Sequence, residues 1–161
     1  MTSPSPGDRL VSTTPPWVHL LVVGDDAPAA LPAPPPGFVV QTLDGRRCRT
    51  KRALLDEMAR VLGFPAHFGR TWDALEDCLT DLEWRPGAGY WLVIVNADRL
   101  LPRDPAGYAA FVALLEDVGR AWATNATGHP GRSVMPFHTV LVVPAHRVGA
   151  RPSWGVPRLI G

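Results

Sequence analysis

Two apolar runs constrain the fold of this chain more than any other feature, and the first of them has no polar alternation. They are residues 90–95 (YWLVIV) and 138–144 (HTVLVVP). A strand with one face in water alternates apolar and polar residues, so uninterrupted runs predict strands that are covered on both faces, as in a parallel sheet. A third run, residues 38–43 (FVVQTL), is rich in β-branched residues and ends at the turn pair Asp44-Gly45, which predicts another strand.

Helical patterns separate these strands. After Thr50, a good N-cap, apolar residues recur at helical spacing until Gly63, and this pattern predicts a helix. A second apolar stripe follows Pro105 and continues to residue 122, where proline suits the first turn. Alternating strands and helices predict an α/β fold with a small, mostly parallel three-stranded sheet packed by helices.

Proline content divides the chain into three parts. The 161 residues suit one domain, but nine of the 18 prolines lie within the first 36 residues. We therefore predict a proline-rich extension over 1–36, with residues 1–16 disordered, a candidate extra strand at 17–23 and a stiff linker at 27–36. The ordered domain is predicted over 37–144, followed by a tail over 145–161.

Charge and cysteine content exclude several classes of protein. The net charge of +1 is not that of a strongly basic nucleic-acid binder. The two cysteines, Cys48 and Cys78, lack disulfide or zinc-site spacing, so we expect reduced thiols and no metal or other cofactor. The apolar stretch at 18–23 is too short to span a bilayer. We expect a cytoplasmic protein with no membrane contact.

An acidic helix is the most informative segment. Residues 67–84 hold five acids against one arginine, and Thr71 is a good N-cap for a helix that begins at residue 72. Asp73, Glu76, Asp77 and Thr80 follow the spacing i, i+3, i+4, i+7, which places them in one exposed strip opposite the leucines. Such a strip is either an ordinary solvated helix face or a surface that awaits a cationic partner.

The same segment resembles the barstar family of intracellular ribonuclease inhibitors. The resemblance rests on Phe68-Gly69 and on the run Asp-Ala-Leu-x-Asp-Cys-Leu-Thr at residues 73–80. It extends over about residues 37–144 and implies the barstar fold, a small parallel sheet with helices packed on it. It also implies an inhibitor that inserts the acidic helix and the preceding loop into a nuclease active site, with carboxylates in place of substrate phosphates.

The resemblance implies a set of partner-binding positions. They are His67, Phe68, Gly69, Asp73, Glu76, Asp77, Thr80 and Asp117, with Glu116 as the alternative to Asp117. Asp73 and Asp77 match the two principal acids of the family, and Thr80 and Gly69 match contact positions. His67 stands where the family example has Tyr, and Glu76 replaces a Trp, so two aromatic contacts that commonly anchor interfaces are absent.

These features together predict a bacterial immunity protein or antitoxin that binds a cationic secreted ribonuclease, is monomeric when unbound and does not bind nucleic acid directly. It is not predicted to be an enzyme, because no oxyanion site or metal cluster is evident and Cys78 lies between leucines. Two alternatives stay open. One is immunity against a toxin that is not a ribonuclease. The other is RNA binding by a basic loop formed by Arg46, Arg47, Arg49, Lys51 and Arg52.

Overall fold

A four-stranded, fully parallel sheet with the strand order β1-β4-β3-β2 forms the centre of the molecule. A computed structural model describes residues 4–24, 31–126 and 131–159. Its elements, in chain order, are α1 (Pro6–Leu10), β1 (Val18–Val23), β2 (Phe38–Asp44), α2 (Lys51–Leu62), α3 (Trp72–Asp81), β3 (Gly89–Val95), α4 (Pro105–Ala123) and β4 (Phe137–Pro144). Three 3₁₀ turns, Gly45–Arg47, Ala97–Arg99 and Ala145–Ala150, complete the list. The predicted α/β class and parallel sheet are confirmed.

The extra strand predicted in the extension is also confirmed. β1 pairs in parallel with β4 over its whole length, with Val18 opposite Thr139. The tail covers the outer edge of β1: the Leu20 amide donates to the Pro157 carbonyl at 2.9 Å, and the Leu159 amide donates to the Leu20 carbonyl at 2.8 Å. Because an open strand edge invites pairing with other chains, this cover protects the sheet.

Helices α2, α3 and α4 pack on one face of the sheet and enclose the larger core. α2 is capped as predicted by Thr50, whose hydroxyl accepts from the Ala53 amide, and by Gly63, which has φ of +67°. The buried stripes of the three helices meet the side chains of alternate strand residues, among them Leu92 and Ile94 of β3. None of the described helices is long and apolar enough to cross a membrane.

The opposite face of the sheet is covered by the two ends of the chain. Leu10 and Leu159 pack there with side chains of β3 and β4, including Trp91 and Val140. The prediction of disorder over residues 1–16 is therefore wrong for residues 4–16, which hold α1 and a fully buried leucine. The reason is physical: the sheet has a second apolar face, and the proline-rich segment with its short helix α1 covers part of it. Residues 1–3, and 27–30 of the predicted linker, lie outside the described residues.

Candidate protein-binding site

Helix α3 is anchored through its buried face and its first turn. Leu75 and Leu79 are fully buried, and the Trp72 ring stacks on Phe111 with 6.0 Å between centroids. The Thr71 hydroxyl accepts from the Ala74 amide at 3.0 Å, which satisfies one of the amides that a helix start leaves unbonded.

The last turn of α3 is held by groups distant in the sequence. The Trp122 indole N–H donates to the Leu79 carbonyl at 2.9 Å. Arg132 donates to the carbonyls of Thr80 and Asp81, each at 2.7 Å, while its guanidinium lies 4.3 Å from the Trp122 ring centroid. A cation at the negative end of a helix is favourable. Arg132 has no local sequence signal for this role, because it lies 52 residues beyond Thr80.

Three carboxylates face outward from this anchored helix; we call Asp73, Glu76 and Asp77 the acidic strip. Asp73 and Asp77 are exposed and Glu76 is half-buried. Within residues 4–24, 31–126 and 131–159, no basic side chain forms an ion pair with any of the three. The predicted exposure is therefore what the structure shows for Asp73 and Asp77, whereas Glu76 is half-buried.

A carboxylate of α4 joins the strip. The pKa of Glu76 is raised, first by its partial burial and then by the negative charges of Asp117, Asp73 and Asp77. This repulsion shows that Asp117 lies within electrostatic reach of the strip, although Arg120 pairs with Asp117 at 2.8 Å. Contact of Asp117 with a partner stays a prediction.

Glu116, the alternative to Asp117, has a different place. It accepts hydrogen bonds from the backbone amides of Trp17 and Val18, which lower its pKa, while burial raises that pKa more strongly. Glu116 therefore ties α4 to the start of β1 and does not belong to the strip.

Of the remaining predicted partner-binding residues, two are exposed, one is buried and one forms a hydrogen bond within α3. His67 and Gly69 are exposed. The Phe68 ring is buried and meets Phe64 edge to face, with centroids 4.9 Å apart, so in the unbound chain it supports the loop. The Thr80 hydroxyl donates to the Glu76 carbonyl of its own helix at 2.9 Å. Partner contact by these four residues stays a prediction.

Arg70 is held away from the acidic strip. It adopts φ of +51°, a conformation rare for residues other than glycine. Its Nε lies 2.5 Å from Oδ1 of Asp56 on α2, and Nη1 donates to the Phe68 carbonyl at 3.5 Å. The arginine nearest to the strip in sequence thus pairs with another helix and leaves Asp73 uncompensated.

The cysteines and the basic loop, which would serve the alternative functions, are less suited to catalysis or to RNA binding. Burial is the first cause of the raised pKa of both cysteine thiols, to about 12 for Cys48, so neither is an activated nucleophile. In the basic loop, Arg46 is bound to Asp44 at 2.7 Å. Lys51 lies 4.9 Å from the Trp72 ring centroid, and that ring already stacks on Phe111.

The parallel sheet, the helices on one face and the outward acidic strip define a small α/β protein that presents a charged helix for contact. The sequence matches the family model described as Barstar (barnase inhibitor) over residues 38–136. The chain therefore belongs to the Barstar family, which confirms the resemblance. The matched residues include the whole acidic strip, whereas β1, β4 and the tail lie outside them. No curated protein matches the sequence.

Family membership establishes an inhibitor type of function at a general level. The family is one of ribonuclease inhibitors, and its members bind a ribonuclease. Which protein this chain binds, and with which residues, is a separate question that the site geometry addresses.

Proposed function

We propose that this protein is a cytoplasmic immunity protein that binds a cationic secreted ribonuclease and blocks its active site with the acidic strip. The observation that carries the proposal is the outward orientation of Asp73, Glu76 and Asp77 on an anchored helix, with no described cation paired to them. Carboxylates so placed can occupy the sites where a ribonuclease holds the phosphates of its substrate. No chemistry of the inhibitor is required.

Mutual repulsion within the strip favours a cationic partner. Like charges three and four residues apart on a helix destabilise it by a few tenths of a kcal/mol per pair. Burial is the first cause of the raised pKa of Glu76, and the negative charges of Asp117, Asp73 and Asp77 add to it. Cationic groups of an active site would relieve this repulsion. A concentrated negative patch also steers a positive protein toward productive encounter, an effect that the barnase and barstar pair itself exemplifies.

Glu76 and His67 indicate which kind of ribonuclease the binding surface would accept. Both stand where the family example has aromatic residues, and both are polar here. Glu76 adds a third carboxylate beside Asp73 and Asp77, and Asp117 lies within electrostatic reach of it. The partner is therefore expected to offer more basic groups opposite the middle of α3 and to rely less on aromatic packing. Its binding should weaken steeply with salt.

Inhibition of RNA hydrolysis tests the proposal. Barnase, and any small secreted nuclease encoded next to this chain, are the two probes. We expect inhibition at a ratio of one to one that is lost in Asp77→Ala and kept in Asp8→Ala, which removes the same charge on the opposite side of the sheet. Failure to inhibit either nuclease would contradict the proposal.

The same assay separates the alternatives. Binding to the neighbouring gene product without any effect on RNA hydrolysis would support immunity against another kind of toxin. A salt-dependent mobility shift of single-stranded RNA by the protein alone would support the basic loop. The loop is the weaker candidate because Arg46 is engaged with Asp44, and because the neighbouring Trp72 ring is already stacked on Phe111.

A further inference from the structure

The segment over residues 6–16, which we call the strap, is fastened to the sheet by hydrogen bonds to its backbone. The Trp91 indole N–H donates to the Leu10 carbonyl at 2.7 Å. A histidine of β4 holds the strap at Ser12: Nε2 of His138 lies 2.6 Å from the Ser12 carbonyl oxygen. Leu10 itself is fully buried against the sheet.

The second bond extends into a pair of buried histidines. A carbonyl only accepts, so Nε2 of His138 carries a proton, and in the neutral ring Nδ1 is then bare. Nε2 of His19 lies 2.9 Å from that Nδ1, and must therefore donate to it. His19 is 1% exposed and His138 is 0% exposed. In this arrangement the chain of hydrogen bonds from β1 through β4 to the strap uses the bare Nδ1 of His138 as its central acceptor.

An added proton has no favourable place in this arrangement. On Nδ1 of His138 it would keep the bond to His19 only if His19 moved its own proton to Nδ1 and accepted at Nε2, and it would leave a cation buried without a counter-charge. On Nδ1 of His19 it would create a buried cation close to Arg9 of α1, whose own Nε is buried without a partner. Burial is the first cause of the lowered pKa of both rings, to about 3 for His19.

The other charged groups near the pair give no compensation. Asp8, on the same helix as Arg9, bonds to the Ser5 amide, and Arg158 of the covering tail is exposed. β3 contributes Trp91, which does not titrate. Among the described residues no carboxylate forms an ion pair with His19 or His138.

We infer that the strap is a proton-sensitive latch: protonation of the His19 and His138 pair releases residues 6–16 from the sheet, while the helix face that carries α3 stays folded. Local release is possible because the strap packs on the smaller core, which is separate from the core beneath α2, α3 and α4. Segments with few buried contacts open at lower free energy than the whole domain does.

The sign of the pH dependence follows from the neutral rings. Released rings would titrate near the ordinary histidine pKa of about 6.5. Because the closed state holds them neutral, its stability is complete above about pH 6.5 and falls as the pH is lowered toward 3. Between pH 7 and pH 5 the opening equilibrium constant should rise about 25-fold if one ring is protonated and about 600-fold if both are.

Amide hydrogen exchange of the full chain, corrected for the intrinsic pH dependence of exchange, tests this inference. We expect the amides of residues 9–12 to lose protection as the pH falls from 7 to 5, and amides of α3 and α4 to keep it. Nitrogen shifts of the two rings should show neutral tautomers at pH 7. Equal loss of protection in the strap and in the helices would overturn the inference, because the opening would then be global.

Variants test whether the pH dependence of strap opening comes from the His19 and His138 pair. In His19→Gln/His138→Gln the glutamines can still bridge the strands but cannot titrate, so the pH dependence of strap opening should disappear. If the double variant does not fold, each single variant should reduce the rise to that of one ring. His67→Gln, which removes an exposed histidine on the helix side, should keep the full dependence. An unchanged dependence in both the single and double variants would refute the latch.

Discussion

Replacing Arg132 by methionine should loosen the end of the acidic helix. Arg132 donates two hydrogen bonds of 2.7 Å to the carbonyls of Thr80 and Asp81 and lies 4.3 Å from the Trp122 ring centroid. Methionine keeps most of the apolar stem and removes the charge and the donors. The variant thus tests the polar contacts without opening a large cavity.

The expected loss can be estimated from these contacts. Each hydrogen bond contributes about 1 kcal/mol net, less where water can replace the half-buried donor. The favourable charge at the helix end adds about 0.5 kcal/mol, and the contact with the indole about 0.5 kcal/mol. Allowing for rehydration of the carbonyls, we expect Arg132→Met to lower the free energy of unfolding by about 2 kcal/mol, which corresponds to a fall in Tm of about 4–8 °C.

Urea unfolding measures this loss, with exchange of the amides around residue 82 as the local readout. Arg103→Met is the matched control, since Arg103 is exposed and its replacement should change stability by less than about 0.5 kcal/mol. Equal stability of the two variants would show that Arg132 does not hold α3, and the account of the anchored helix would then be wrong.

Three further predictions concern the strip and the sheet edge. Asp77→Ala should fold normally and weaken binding of the ribonuclease by about 3 kcal/mol, or about 150-fold, as loss of one member of a buried ion pair does; calorimetric titration beside Asp8→Ala would measure it. Glu76→Gln should raise stability by a few tenths of a kcal/mol at pH 7. Because the folded pKa of Glu76 is raised, this gain should vanish below about pH 4.5, and a constant gain in thermal melts across that range would contradict the repulsion. Gly119→Ala should cost about 1–3 kcal/mol, since its methyl group would overlap the Trp17 side chain; an unchanged Tm would argue against the docking of β1 on α4.

Local rules were sufficient to predict the sheet strands and the acidic strip. The uninterrupted apolar run of β3 can be buried only where both faces are covered, and helical geometry alone places Asp73 and Asp77 on one side of α3. Family resemblance was needed to read the strip as a binding surface, because the same spacing also occurs on ordinary solvated helices.

Contacts between distant parts of the chain could not be predicted in this way. His19 and His138 are 119 residues apart, and neither has a local sequence signal for a partner. Proline-rich composition led to a prediction of disorder for the segment that covers the second face of the sheet. A high proline content disfavours regular helices and strands, but it does not indicate whether a segment packs against the rest of the protein. The pairing of Arg70 with Asp56 similarly depends on how α2 lies beside the loop.

The anchoring of α3 and the repulsion within its acidic strip belong to one physical arrangement. An isolated ten-residue helix with three uncompensated carboxylates would be marginal in water. Here Leu75, Leu79 and the contacts of Trp122 and Arg132 hold the helix in place, so the carboxylates cannot move apart by unwinding. Under the proposed function, the cationic active site of the ribonuclease would bind carboxylates whose positions are already fixed. Binding would therefore cost little conformational entropy. The residues that hold the helix should therefore affect the affinity even though they contact no partner.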